Sequence, residues 1–155
     1  MDHSVEVKLV SLFKLQQIES EIDRLRTYRG ELPMEVRDLE DEVAGMQTRL
    51  ERQNEEIVQI KRLIAEKQAG LKEAQASKTR YETQIMGVKN SREFDALSKE
   101  IEIQSLEIQI AEKKIKEFSH QLDLRTTEMQ ALAETLEGRI RDLDQKKTEL
   151  DSIVA

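Results

Sequence analysis

The chain has 155 residues, of which 37% are charged and 3% aromatic, with one proline, five glycines and no cysteine. That profile excludes a disulfide framework and a thiolate zinc site within these residues, and it suits long helices rather than a core built on aromatic volume. The net charge of −7 comes from interleaved signs, which gives no general affinity for nucleic acid or for an anionic membrane.

Residues 1–10 carry Asp2 and Glu6 among their apolar side chains and lack the pattern of a signal peptide. No apolar run approaches the ~20 residues that span a bilayer. A cytoplasmic protein with no membrane role is the expectation.

The first element is a helix over 4–29, with Ser4 as its N-cap. Its apolar stripe is Val5, Leu9, Leu12, Leu15, Ile18, Ile22 and Leu25. The segment Arg29-Gly30-Glu31-Leu32-Pro33 then predicts a break or a kink near 29–33, because glycine followed by proline stops and restarts helices. Leu25, Arg29, Leu32 and Val36 keep a 4-3-4 spacing across it, which favours a kink or a very tight junction over a reversal.

The second element is an ascending arm over 33–87. Its grid reads Val36, Leu39, Val43, Met46, Leu50, Gln53, Ile57, Ile60, Ile64, Lys67, Leu71, Ala74, Lys78, Tyr81, Ile85, Val88. Spacing that alternates three and four without a slip is the seam of a left-handed coiled coil. A turn follows at 87–92. Gly87 and Asn90 tolerate left-handed backbone. Asn90 with Glu93 resembles a capping box, and Ser91 is an alternative N-cap.

The third element is a descending arm over 91–154. Its grid reads Phe94, Leu97, Ile101, Gln104, Ile108, Ala111, Ile115, Phe118, Leu122, Arg125, Met129, Leu132, Leu136, Arg139, Leu143, Lys146, Leu150, Ile153. Folding the chain at Ser91 pairs position i with position 182 − i, and every grid position of the ascending arm then meets a grid position of the descending arm. Val88 meets Phe94, Ile60 meets Leu122 and Leu39 meets Leu143. Lys78 falls opposite Gln104, a polar layer that can fix register. The basic residues of 61–80 face Glu100, Glu102, Glu107, Glu112 and Glu117, which opposes a parallel homodimer in register. The expected fold is all-α: one long antiparallel coiled-coil hairpin, a rod with an arm ~80 Å long and a tip.

The same mirror rule leaves the stripe from Val5 to Leu25 without a partner. It can fold back on the rod, pair with another copy, or belong with a segment beyond residue 155. The chemistry of a catalyst is missing from the pattern. His3 and His120 have no second His or Cys at ligand spacing, no Gly-rich phosphate loop is present, and a two-helix rod has no enclosed pocket in which to tune a pKa. No enzyme, no small-molecule substrate and no metal or cofactor held by these residues are expected. Lys89, Asn90, Arg92, Glu93 and Asp95 concentrate polar groups at the tip and are the contact candidates there, while Ser91 is read as cap chemistry.

The stretches from Leu15 to Asp23, from Arg29 to Pro33, and above all Val88-Lys89-Asn90-Ser91-Arg92-Glu93-Phe94-Asp95-Ala96-Leu97-Ser98-Lys99-Glu100-Ile101-Glu102 resemble the bacterial C4-type zinc-ribbon coiled-coil family. The resemblance covers essentially the whole chain. It implies a helical hairpin followed by a four-cysteine zinc ribbon, so a ribbon, and its zinc, is expected beyond residue 155. It also implies an adaptor or chaperone linked to flagellar or type III secretion assembly, or to an alternative sigma factor. From the rod, the tip and the free stripe, together with this resemblance, two functions are expected. One is a scaffold that binds protein partners, with self-association through the free stripe. The other is a regulator that acts on nucleic acid through the full-length protein's ribbon, or on RNA polymerase through the tip carboxylates Glu93 and Asp95.

Overall fold

The computed structural model describes residues 2–154 and shows two helices packed against each other as a hairpin, α1 over Asp2–Ile85 and α2 over Ser91–Val154. No strand is present among the described residues.

The expected break at Gly30–Pro33 does not occur. Helix α1 runs through Pro33 unbroken, so the separate helix over 4–29 and the arm from 33 are one element. Ser4 lies inside that helix and is not its cap. Proline removes one backbone bond, to the carbonyl of Arg29, at a cost of about 3 kcal/mol in a helix interior. Burial on both sides of it offsets that loss. Leu32 is 0% exposed, the only fully buried large side chain among the described residues, and Val36 is 7% exposed. Packing therefore overrides the local stop signal.

The chain divides into two compact units, one of Met1–Thr48 with Glu134–Ala155 and one of Arg49–Ala133. In the first, Leu32, Val36, Val43, Leu136 and Leu143 form the core. In the second, Ile57, Ile60 and Ala74 are buried and the rest of the seam is half-buried. Every position of the ascending grid is buried or half-buried except Lys67. On the descending grid the exceptions are Phe94, Arg125 and Arg139.

The two arginines explain themselves. Arg139 Nε reaches Glu42 at 3.1 Å, and Lys146 Nζ, at another polar grid position, reaches Glu35 at 3.3 Å. In the other unit Arg125 pairs with Glu56. The residue numbers of each pair add to 181. Each cation therefore leans from the seam to the glutamate just before its mirror position, one heptad apart along α1 for Glu35 and Glu42. Long cationic stems cover apolar surface while the charge stays wet. Each pair contributes little to stability, because its side chains are a third to nearly half exposed and water screens the charges. Their regular spacing resists register slips more than it adds stability.

The expected match of the basic residues of 61–80 to α2 glutamates is not formed as contacts. Among the described residues the interhelix ion pairs put the acids on α1 and the bases on α2, and none involves 61–80. Lys78 and Gln104 are both half-buried, as a shared layer requires, but the Lys78 ammonium turns to Glu82 on its own helix at 3.9 Å.

Candidate functional site

The tip lies in the unit of Arg49–Ala133. Helix α1 stops at Ile85 rather than 87, and the connection occupies 86–90 rather than 87–92. It closes as α1 tightens, with the Gly87 N–H donating to the Gln84 carbonyl at 3.1 Å and the Val88 N–H to the Ile85 carbonyl at 3.3 Å. No described residue has positive φ, so neither Gly87 nor Asn90 uses the left-handed freedom expected of it.

Asn90 is the N-cap of α2. Its Oδ1 accepts the Arg92 N–H at 2.9 Å, and its carbonyl accepts the first helical bond from the Phe94 N–H at 3.0 Å. Ser91 is the first helical residue and not the cap. Glu93 adds a carboxylate in the first turn, where the helix dipole favours one.

Lys89, Asn90, Arg92, Glu93 and Asp95 are all exposed and within one short connection and turn. The structure adds two apolar residues to them. Met86 is 86% exposed, and Phe94, expected to meet Val88 in the seam, is 50% exposed. At the last layer of a seam there is no further layer to close over a ring. Met86 had a signal in the sequence, an apolar side chain off the grid between Ile85 and Val88. Phe94 had none, because its spacing fits the seam.

The second candidate surface is the stripe on α1, which belongs to the other unit. Val5, Leu9, Leu12, Leu15, Ile18, Ile22 and Leu25 are all exposed, together with Val7, Val10 and Phe13. Ile153 of α2 borders a shallow open groove with Ile22, Leu25 and Arg29 at its edge. Beside it Tyr28 donates its hydroxyl to Glu149, and Lys146 Nζ lies 6.0 Å from the Tyr28 ring centroid. That bond, which holds the phenol protonated, raises the Tyr28 pKa above 10.0. The Glu35 carboxylate raises the Lys146 pKa above 10.5 in the same way. The sequence pattern carries no sign of this small polar cluster, because Tyr28 and Glu149 lie off both grids.

Among the described residues there is no group of three or more His, Cys, Asp or Glu that could hold a metal ion. The cysteines that a zinc ribbon needs are not in this sequence, so its residues do not fit that group. Among the described residues no helix is long and apolar enough to cross a membrane. Comparison of the chain with protein-family models, with curated proteins and with solved structures finds no match. The likeness to the zinc-ribbon coiled-coil family rests on the residues quoted for it.

Proposed function

We propose that this chain is a non-catalytic adaptor that binds a protein partner through the hairpin tip. The observation that carries the proposal is the exposure of Met86 and Phe94 beside Lys89 and Arg92, on a turn anchored by the Asn90 cap. Large apolar side chains held in solvent on a rigid element are anchors for a pocket, and the flanking cations select an acidic rim around it. The family likeness suggests where such a partner belongs, in secretion or flagellar assembly or with an alternative sigma factor. The same likeness associates zinc and nucleic-acid contact with a four-cysteine ribbon, and this sequence has no cysteine to form one.

A second reading rests on Glu93 and Asp95, which are also exposed at the tip and offer carboxylates to RNA polymerase. Lys89 and Arg92 stand beside them and oppose it, so the adaptor is preferred.

A photo-crosslinking amino acid placed at Met86, in cells, tests the adaptor. It should give a discrete protein adduct that weakens with Lys89→Ala and Arg92→Ala together. The same probe at Glu102, exposed on the arm, should give none of that adduct. Equal adducts at both positions, or an adduct indifferent to the two cations, would remove the tip as the contact. An adduct with an RNA polymerase subunit that instead needs Glu93 and Asp95 would favour the second reading.

A further inference from the structure

We propose that the outer face of α2 around Leu106 is an interface between two copies of this chain, packed antiparallel about a two-fold axis level with Ile108. Ile103, Leu106 and Ile110 are 46%, 53% and 59% exposed and follow one another at three and four residues. Each lies two residues on from a seam position, about 200° around the helix, so the row faces away from α1. Its exposure does not come from a missing mirror segment. The whole row lies in the unit of Arg49–Ala133, and the positions that mirror 99–117 all lie within α1.

The charges beside the row select what covers it. Toward the tip stand Glu100, Glu102 and Glu107, and away from the tip stand Lys113, Lys114 and Lys116, all exposed. One half of the patch is acidic and the other basic, so a two-fold turn lays each half on its opposite. With residue numbers adding to 216, Leu106 meets Ile110 of the second copy, Lys99 meets Glu117, and the Lys113 stem covers Ile103. Flanking side chains take the offsets that the hairpin itself shows. Its layers add to 182, whereas Tyr28 with Glu149 add to 177 and Glu40 with Lys147 to 187. The same offsets from 216 join Asp95 to Lys116 and Glu107 to Lys114, and Glu100 and Glu102 fall two residues off opposite Lys114 and Lys116. One like pair stands against these, Glu107 with itself near the axis. Among the described residues no ion pair holds Lys99, Glu100, Glu102, Glu107 or Lys116 within the chain. Lys114 has only an exposed one, to Glu117 on its own helix at 3.6 Å.

The alternatives fail on the same residues. A parallel copy would lay the acidic half on itself and the basic half on itself. A slip of one heptad toward the tip would set Glu100 against Glu107. A slip the other way would set Leu106 against Glu117 and Ile110 against Lys113. The apolar area is small, three side chains from each copy, so the dimer is weak and reversible.

The test uses the full chain in sedimentation equilibrium over a wide concentration range. The expected result is a reversible dimer. Leu106→Lys should weaken it at least about tenfold, with the helical circular dichroism of the monomer retained because Leu106 is exposed there. Glu102→Lys or Lys116→Glu should each weaken the dimer, and the two together should restore most of it. Leu15→Glu, on the exposed stripe of α1, should leave it intact. Orientation is read by oxidising cysteine variants. A Leu106→Cys chain mixed with an Ile110→Cys chain should form the mixed disulfide, and an Ile103→Cys chain should not link to itself. A monomer at every concentration, association lost with Leu15→Glu but kept with Leu106→Lys, or self-linkage of the Ile103→Cys chain would each overturn the proposal.

Discussion

Leu32 and Leu25 are the same residue, one heptad apart on the same face of one helix, yet Leu32 is 0% exposed and Leu25 is 60% exposed. Truncating each to alanine should therefore separate helix propensity, which is common to both, from packing. Leucine and alanine differ little in helix propensity. Leu32→Ala removes a fully buried side chain and leaves a cavity, a loss of about 2–5 kcal/mol. For a chain of this length that corresponds to a fall in Tm of about 2–4 °C for each kcal/mol. Leu25→Ala removes surface that is mostly wet already and should cost under about 1 kcal/mol. The assay is urea denaturation followed by circular dichroism at 222 nm, at a protein concentration low enough to keep the chain monomeric. Equal effects of the two substitutions at low concentration would refute the packing assigned to the Pro33 region.

Gly30→Ala tests the continuity of α1 directly, since an added Cβ meets nothing within 4 Å and the residue is helical. The substitution should stabilise the chain by about 0.5–1 kcal/mol, and a fall in the urea midpoint would mean that the helix breaks there. Gln53 stands at a seam position with its Oε1 buried and unpartnered. Gln53→Leu should raise stability by about 1 kcal/mol, because an orphaned acceptor is replaced by apolar volume, and destabilisation in the same assay would show that the amide has a role. Tyr28 should titrate above pH 10.0 in a Tyr81→Phe background, read by phenolate absorbance, and Glu149→Gln should lower its midpoint. Raised folded-state values for Tyr28 and Lys146 place the stability they contribute below about pH 10 and lose it as pH rises through those raised values. A stability that increases over that alkaline range would contradict the contact.

The seam was legible in the sequence because burial writes a period of three and four, and only one side of each helix is buried. The turn was legible to within two residues, because Asn90 carries the capping chemistry just after Val88, the last apolar position of the ascending grid. The free stripe was visible as apolar positions with no mirror partners. What was hidden has physical causes. Gly30 and Pro33 carry a strong local stop signal, and only the burial of Leu32 and Val36 shows that packing outweighs it. Arg125, Arg139 and Lys146 look like defects on a grid until their length lets them reach Glu56, Glu42 and Glu35 beside it. Phe94 satisfies the period but sits at the end of the seam, where the period loses its meaning. Ile103, Leu106 and Ile110 form a second exposed apolar row on α2, on the face away from the seam, which a search for the seam alone passes over.

The two helices pair within one chain, antiparallel and in a fixed register, and the absence of cysteine makes that pairing directly testable. Glu56→Cys with Arg125→Cys places two thiols where an ion pair now joins the helices. A short linker with two thiol-reactive electrophilic ends, added at low protein concentration, should alkylate both and bridge them within one chain. The pair Glu56→Cys with Leu132→Cys, one heptad out of register, should stay unbridged. Bridging of the second pair instead of the first, or linkage only between chains, would contradict the register and the hairpin respectively.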